Sequence, residues 1–394
     1  MTATRASAID ADFVTRTLQD LVRINSVNPH MSPEGKGEAE IARYIDRVLR
    51  DIGLEVAVHE PQPGRPSVVG IARGSGVGRS LMLNAHIDTV GVEGMPDAFS
   101  GAIRRNKLFG RGAYDMKGSV GACIGAMKAL SESDAPLAGD VLVALVADEE
   151  YASIGTADLL NRYRPDAAIV TEPSALQICL AHKGFIWIEL ETIGRAYHGS
   201  QFLHGIDANM RMGRFLHELE GLERDLRTRT PHAYVGSPSL HAATLRGGTA
   251  MSVYAGSATL QIERRTVPGE TPDQVLEEIA GIVERLAACD DTFRATMKTL
   301  LVRDPFEVSP NADVVRCLYG AATDVLGSEP NYIGENPWMD SAFLSAAGVE
   351  TVVFGPAGAG AHSAEEWVEL DSVLQLSQIL ANTAIEYSSK PRSS

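Results

Sequence analysis

Seven side chains in this sequence have the types and spacing of a metal site. His86 and Asp88 stand two apart in Leu81-Met-Leu-Asn-Ala-His86-Ile-Asp88-Thr-Val90. Asp115 follows in a glycine-rich stretch, Glu149 and Glu150 as neighbours, then Glu172 and, late in the chain, His362. Two imidazoles and several carboxylates, each at the end of an apolar run or in a glycine-rich turn, make a ligand set for two divalent metals with a water between them. Such a set hydrolyses amides.

Each piece alone has a plainer reading. Side chains two apart at a strand end face the same way, so Asp88 can accept the free N–H of His86 as the clamp of a metal ligand, or the two are simply a buried His–Asp pair. Asp115 lies in Gly110-Arg-Gly-Ala-Tyr-Asp115-Met-Lys-Gly118 before a helix, which suits a carboxylate shared by two metals but also an anion-binding turn. Asp148-Glu149-Glu150 follows the most apolar run of the chain. Carboxylates crowded there repel one another unless cations are present, and a solvated acidic turn is the alternative. With metals, one glutamate ligates and the other takes the proton of the attacking water. Glu172, in Thr171-Glu172-Pro173-Ser174, and His362, after Gly355-Pro-Ala-Gly-Ala-Gly-Ala, again follow strand-like runs.

The elements that must carry these residues alternate. Apolar spacing predicts helices over 11–23 and 37–53, strands over 68–72, 80–85, 141–147 and 167–171, and helices over 118–132 and 154–163. Short, wholly apolar strands between helices predict a mainly parallel sheet with helices on both sides, whose ligands collect at the carboxyl ends of the strands. After Gly184 the pattern becomes strand 185–192, helix 206–222, strands 239–245 and 252–265, helix 271–288 and strand 292–302. That β-α-β-β-α-β order is an inserted ferredoxin-like α+β domain. The first pattern resumes at Asp304, with a strand near 351–355 and a helix over 371–387. The fold class is therefore α/β, with a discontinuous catalytic domain (1–183 and 304–394) and a second domain at 184–303.

Composition narrows the function. With 394 residues, 44% apolar and 22% charged, two domains are expected, and no apolar stretch is long enough for a membrane span. A net charge of −16 argues against nucleic acid, whose partners present basic surfaces. No secretory signal is visible at the N-terminus, so a cytoplasmic location is expected, with Cys123, Cys179, Cys289 and Cys317 reduced.

The ordered set His86-x-Asp88, Gly112-x-x-Asp115-x-Lys117-Gly118, Asp148-Glu149-Glu150, Thr171-Glu172-Pro173 and His362 resembles the aminoacylase and carboxypeptidase family of co-catalytic zinc hydrolases over nearly the whole chain. The resemblance implies one metal on His86, Asp115 and Glu172 and another on Asp115, Glu150 and His362. Glu149 is then the general base and Asp88 orients His86. Zinc is the implied metal, with cobalt or manganese also suited to mixed imidazole and carboxylate ligands.

Within the family, Ile262-Glu-Arg-Arg265-Thr-Val-Pro-Gly-Glu270 and Gly360-Ala-His362-Ser-Ala-Glu-Glu-Trp367 look most like the acetylornithine deacetylase and succinyl-diaminopimelate desuccinylase branch. In such enzymes the inserted domain is a dimerisation lid that lends residues to the site. His198 matches the histidine that stabilises the oxyanion from across the dimer. Arg265 matches the arginine that holds the substrate carboxylate, a task for a planar bidentate donor. Ser252, near where many relatives have an asparagine, Asp340, reached through Asn336-Pro-Trp-Met, and Gly358 are further substrate-binding positions. The serine and Trp338 depart from the branch, so acetyl and succinyl groups both stay open. The implied enzyme is a cytoplasmic homodimer that removes an acyl group from N-acyl-L-amino acids. Dipeptidase or carboxypeptidase action is the second reading. A non-catalytic ligand-binding relative is the third, opposed by a base and ligand set that are complete.

Overall fold

A computed structural model describes residues 6–392, which divide into two compact units. Of these, the first unit comprises 6–180, Val308–Ile333 and 339–392, and the second Ala181–Glu307 and Gly334–Trp338. The second unit thus takes in residues 181–183, 304–307 and 334–338 beside the expected 184–303. Ring packing explains this: His182 stacks on Phe306 at 5.2 Å and meets the edge of Trp338 at 6.4 Å.

In the first unit, four neighbouring strands are parallel: Val141–Val146, Leu81–His86, Ala167–Val170 and Glu350–Val353, in that spatial order. Their side chains are almost all buried, which is why these runs lack polar alternation. Antiparallel strands flank them, Ser67–Ala72 and Glu55–His59 on one side and Ile178–His182 on the other. The sheet is parallel only at its centre and mixed overall. Glu55–His59, a half-exposed edge strand, lacks the apolar run that marks the others.

Helix Gly118–Ser131 is buried along nearly its whole length, packed against Ala11–Arg23 and Leu370–Ser388. A second, small sheet has strands of two or three residues: Gly358–Ala359, Trp367–Glu369, Lys107–Phe109 and Ala102–Arg104, in that order. Strands this short leave no periodicity to read in sequence.

The second unit has strands Gly184–Ile193, Ser239–Gly247, Ser257–Thr266 and Ala295–Arg303 with helices Ala208–Thr228 and Pro272–Cys289. All neighbours are antiparallel, with Ser257–Thr266 and Gly184–Ile193 central and the other two at the edges. This is the split β-α-β arrangement. The alternation in Gly184–Ile193 puts Ile186, Ile188 and Leu190 under the helices, against Phe215, Ile279 and Phe293. Thr271 and Gln274 form a capping box, with Pro272 in the first turn, at the start of the second helix.

Candidate metal centre

The four parallel strands run the same way, so their carboxyl ends share one edge of the sheet. His86 ends one of them, Glu149 and Glu150 follow the second, and Glu172 the third. Glycine lets the fourth approach: a Cβ on Gly355 would lie 2.2 Å from the Glu172 carbonyl oxygen. The small sheet supplies the remaining ligands. Strand Lys107–Phe109 leads into Asp115, and His362 lies in the turn between Gly358–Ala359 and Trp367–Glu369. Pairing of Trp367 with Phe109 therefore brings Asp115 and His362 together.

The ligand atoms of His86, Asp115 and Glu172 lie within 4.8 Å of one another, as do those of Asp115, Glu150 and His362. Asp115 is common to both groups. Its Oδ1 is 3.2 Å from His86 Nε2 and its Oδ2 is 3.3 Å from His362 Nε2. Glu172 Oε1 is 3.7 Å from His86 Nε2, and Glu150 Oε2 is 3.1 Å from His362 Nε2. One carboxylate thus points an oxygen at each imidazole.

Protonation behaviour follows from burial and crowding. Burial pushes the Glu149 carboxyl well above its ordinary range, and the Glu172 charge adds to this. Burial raises Glu150, with help from Asp115, and pushes Glu172 up to about 8. On His86 burial opposes the proton, but the Glu172 charge and the bond to Asp115 raise it well above the usual imidazole value. Bonds to Asp115 and Glu150 raise His362 to about 10. Burial works against the Asp115 charge, yet the bonds to His362 and His86 hold it below the usual carboxylate range. Bound protons thus offset part of this crowded charge, and divalent cations would replace them. Glu150 Oε1 is buried with no hydrogen-bond partner, an acceptor that a cation would satisfy. The residues fit two such ions, with imidazole nitrogen and carboxylate oxygen the donors.

The supporting residues correct part of the sequence reading. Asp88 was expected to clamp His86 with its carboxylate, but His86 Nδ1 is 3.0 Å from the Asp88 backbone carbonyl and 3.5 Å from the carboxylate. The carboxylate accepts instead from the N–H groups of Glu149 and Glu150 (3.1 and 3.3 Å) and from Asn28 Nδ2 (2.8 Å). It holds the turn that carries both glutamates. Asp340, expected at the substrate, is only 1% exposed and accepts from the Thr156 hydroxyl. Burial pushes it up to about 6, and it adds repulsion to Glu149 and Glu172. Gly358 pairs with Val368 in the small sheet, where a Cβ would meet the Tyr114 ring at 2.5 Å.

Sequence reasoning missed the device that joins the Asp115 and His362 segments. Glu366 is fully buried; its Oε1 accepts from Tyr114 N and Asp115 N (2.9 and 3.0 Å), its Oε2 from Gly112 N (3.1 Å) and Arg111 Nη1 (2.6 Å). Arg111 also donates to the carbonyl of Ser363, next to His362 (2.9 Å). Gly112 adopts φ 81°, where a side chain would be strained and a Cβ would meet Thr89 at 2.7 Å. The sequence signal was an Arg and a Glu beside two ligands, 255 positions apart.

His198, Ser252 and Arg265 belong to the second unit. His198 is exposed, with Nδ1 2.8 Å from the Ser200 hydroxyl, and the exposed Ser252 accepts Gly199 N–H on its carbonyl (2.7 Å). Alternation separates two adjacent arginines. Arg264 is buried and bonded to Glu270, whereas Arg265 lies on the open face, bonded to Glu263 (2.8 Å) and over the Phe185 ring.

The sequence profile of peptidase family M20/M25/M40 matches residues 82–386. The chain belongs to that family. It is a hydrolytic enzyme acting on amide bonds. Among curated relatives, the N-formyl-4-amino-5-aminomethyl-2-methylpyrimidine deformylase of Bacillus subtilis is 27% identical over 393 residues, covering 92% of both chains. The acetylornithine deacetylase of Myxococcus xanthus is 28% identical over 356 residues, covering 89% of this chain and 88% of its own. The fold is that of the YXEP protein of Bacillus subtilis, described as a dinuclear metal binding peptidase, with a TM-score of 0.76, 17% identity, and coverage of 96% of this chain and 99% of that one. Among the described residues, no helix is long and apolar enough to cross a membrane.

Proposed function

We propose that this M20 enzyme removes a small acyl group from the nitrogen of an N-acyl-L-amino acid, using two divalent metal ions. The observation that carries the reading is the pair of ligand groups that share Asp115 and leave Glu149 outside both. His86, Asp115 and Glu172 would hold one ion, and Asp115, Glu150 and His362 the other, with zinc the best match to the donors and cobalt or manganese acceptable. When bound, the two ions supply Lewis-acid polarisation of the scissile carbonyl and acidify water.

Glu149 then acts at its carboxylate, taking a proton from the attacking water and returning it to the leaving nitrogen. Burial and the neighbouring Glu172 charge favour its protonated form, which suits the return step. Asp88 holds the Glu149 N–H, and its carbonyl fixes the His86 tautomer. From the second unit, Arg265 would bind the substrate carboxylate and His198 the developing oxyanion, His198 from the partner of a homodimer. The exposed Phe202, Leu203 and Met251 of that unit support an intersubunit surface.

Relatives named for deformylation and deacetylation favour small acyl groups. Dipeptide hydrolysis is the second reading, favoured by the peptidase description of the protein that shares the fold. A panel of N-formyl, N-acetyl and N-succinyl amino acids and dipeptides on zinc- or cobalt-loaded protein tests both. Cleavage of N-acyl amino acids that falls ~10²–10⁴-fold in Glu149→Gln, leaving a measurable residual rate, is expected. Exclusive cleavage of dipeptides would replace the first reading with the second. Unimpaired turnover by Glu149→Gln would remove the base.

A further inference from the structure

Behind the Glu149–Glu150 turn lies a buried charged network that none of the steps above uses. Asp148 has φ 71°, a left-handed conformation that non-glycine residues adopt only at an energetic penalty. Its carboxylate is buried, and Oδ1 accepts from Arg65 Nη2 (2.6 Å) and Asn28 Nδ2 (2.9 Å). Arg65, itself 4% exposed, is bidentate to buried Glu38, Nε to Oε2 at 2.6 Å and Nη2 to Oε1 at 2.7 Å. Asn28 Nδ2 also reaches Asp88 Oδ2, on the carboxylate that takes the Glu149 and Glu150 N–H groups. His30 Nδ1 is 3.2 Å from Arg65 Nη1.

The pair with Glu38 already neutralises Arg65 with good geometry. The further bond to Asp148 has another consequence: it ties the side chain of the left-handed residue whose ψ sets the direction of the next one. Asp88 fixes the N–H side of Glu149 and Glu150, while Arg65 and Asn28 fix the residue before them. Charge-assisted bonds in a buried setting are strong enough to offset the backbone penalty. We propose that Arg65, assisted by Asn28, is a positioning residue for the general base. By holding the Asp148 carboxylate it locks the left-handed turn and so aims Glu149 into the carboxylate group. The proposal rests on the reading of Glu149 as the base.

Arg65→Lys keeps a positive charge beside Glu38, but one ammonium cannot reproduce the fork that spans Glu38 and Asp148. On the N-acyl amino acid cleaved fastest in the panel, kcat is expected to fall about 10–30-fold with KM within about threefold and both metals retained. Amide exchange at Glu149 and Glu150 in the metal-free protein should quicken, a readout independent of turnover. Asn28→Ala, which leaves the Arg65–Glu38 pair intact, should give a smaller loss of the same kind. Two further variants separate positioning from general structure. Adding Arg65→Lys to Glu149→Gln should cause no further loss, because there is no base left to aim. Adding Asp148→Gly to Arg65→Lys should restore most of the rate, since glycine takes the left-handed conformation unaided. Losses that multiply in the first double variant, absence of rescue in the second, or metal loss in step with kcat would overturn the proposal alone. Wild-type turnover by Glu149→Gln would overturn the base reading with it.

Discussion

Replacing Glu366 with glutamine tests whether the small sheet orders Asp115. The Glu366 carboxylate receives four N–H donors, two on each oxygen: Tyr114 and Asp115 on Oε1, Gly112 and Arg111 on Oε2. A glutamine amide has one acceptor oxygen, so in either rotamer its NH₂ faces two of those donors. Bonds to a charged group are worth ~1.5–3 kcal/mol each, so losing two amounts to roughly 3 kcal/mol at the lower end, before counting donors left unpaired. At 1.36 kcal/mol per tenfold, the loop should open over a hundredfold more often. The assay is amide hydrogen exchange in the metal-free protein. Tyr114 and Asp115 should lose about two orders of magnitude of protection, while Glu149 and Glu150, held by Asp88, serve as unchanged controls. Zinc affinity by chelator competition should fall by up to the same factor, because binding must then reorder Asp115. Exchange at Tyr114 and Asp115 within threefold of wild type would refute the reasoning.

Zinc binding should release protons. His362 is raised to about 10 and His86 well above its usual value, so both imidazoles are protonated in the metal-free protein at pH 7.5 and must lose that proton to ligate. Affinity should therefore rise with pH, by about two to three log units per pH unit for filling both sites near neutrality, because the Glu172 carboxyl, pushed up to about 8, also gives up a proton, and should flatten as pH approaches the His362 value. Calorimetry in buffers of different ionisation enthalpy counts the protons, and a count of zero would contradict the arrangement. Amidating the substrate carboxylate should cost the wild type ~2–5 kcal/mol in kcat/KM and Arg265→Ala much less. Equal losses in both would remove Arg265 from substrate binding. A mixture of inactive His198→Ala and Glu149→Gln chains should recover about a quarter of wild-type sites after random exchange in a two-fold dimer, if His198 acts across it. A mixture as inactive as its parents, with exchange verified, would return His198 to its own chain.

The sequence by itself determined which strands are buried on both faces and which residues end them. The runs at 80–85, 141–147 and 167–171 are apolar because helices cover both sides of the central sheet, and a polar residue just past such a run stands at the sheet edge. That is why His86, Glu149, Glu150 and Glu172 were legible as one group, and why period-two alternation disclosed the one-sided sheet of the second unit. Tertiary structure decided the rest. Asp115 and His362 are brought together by strands of two and three residues, too short to leave a period, and by the Arg111–Glu366 pair, whose partners are far apart in sequence. The direction of the Asp88 carboxylate, the depth of Asp340 and the left-handed turn at Asp148 depend on which N–H groups and cations lie nearby in space. Residue types and spacing encode an element's exposed and buried faces, but a buried polar group takes whatever donor the fold delivers.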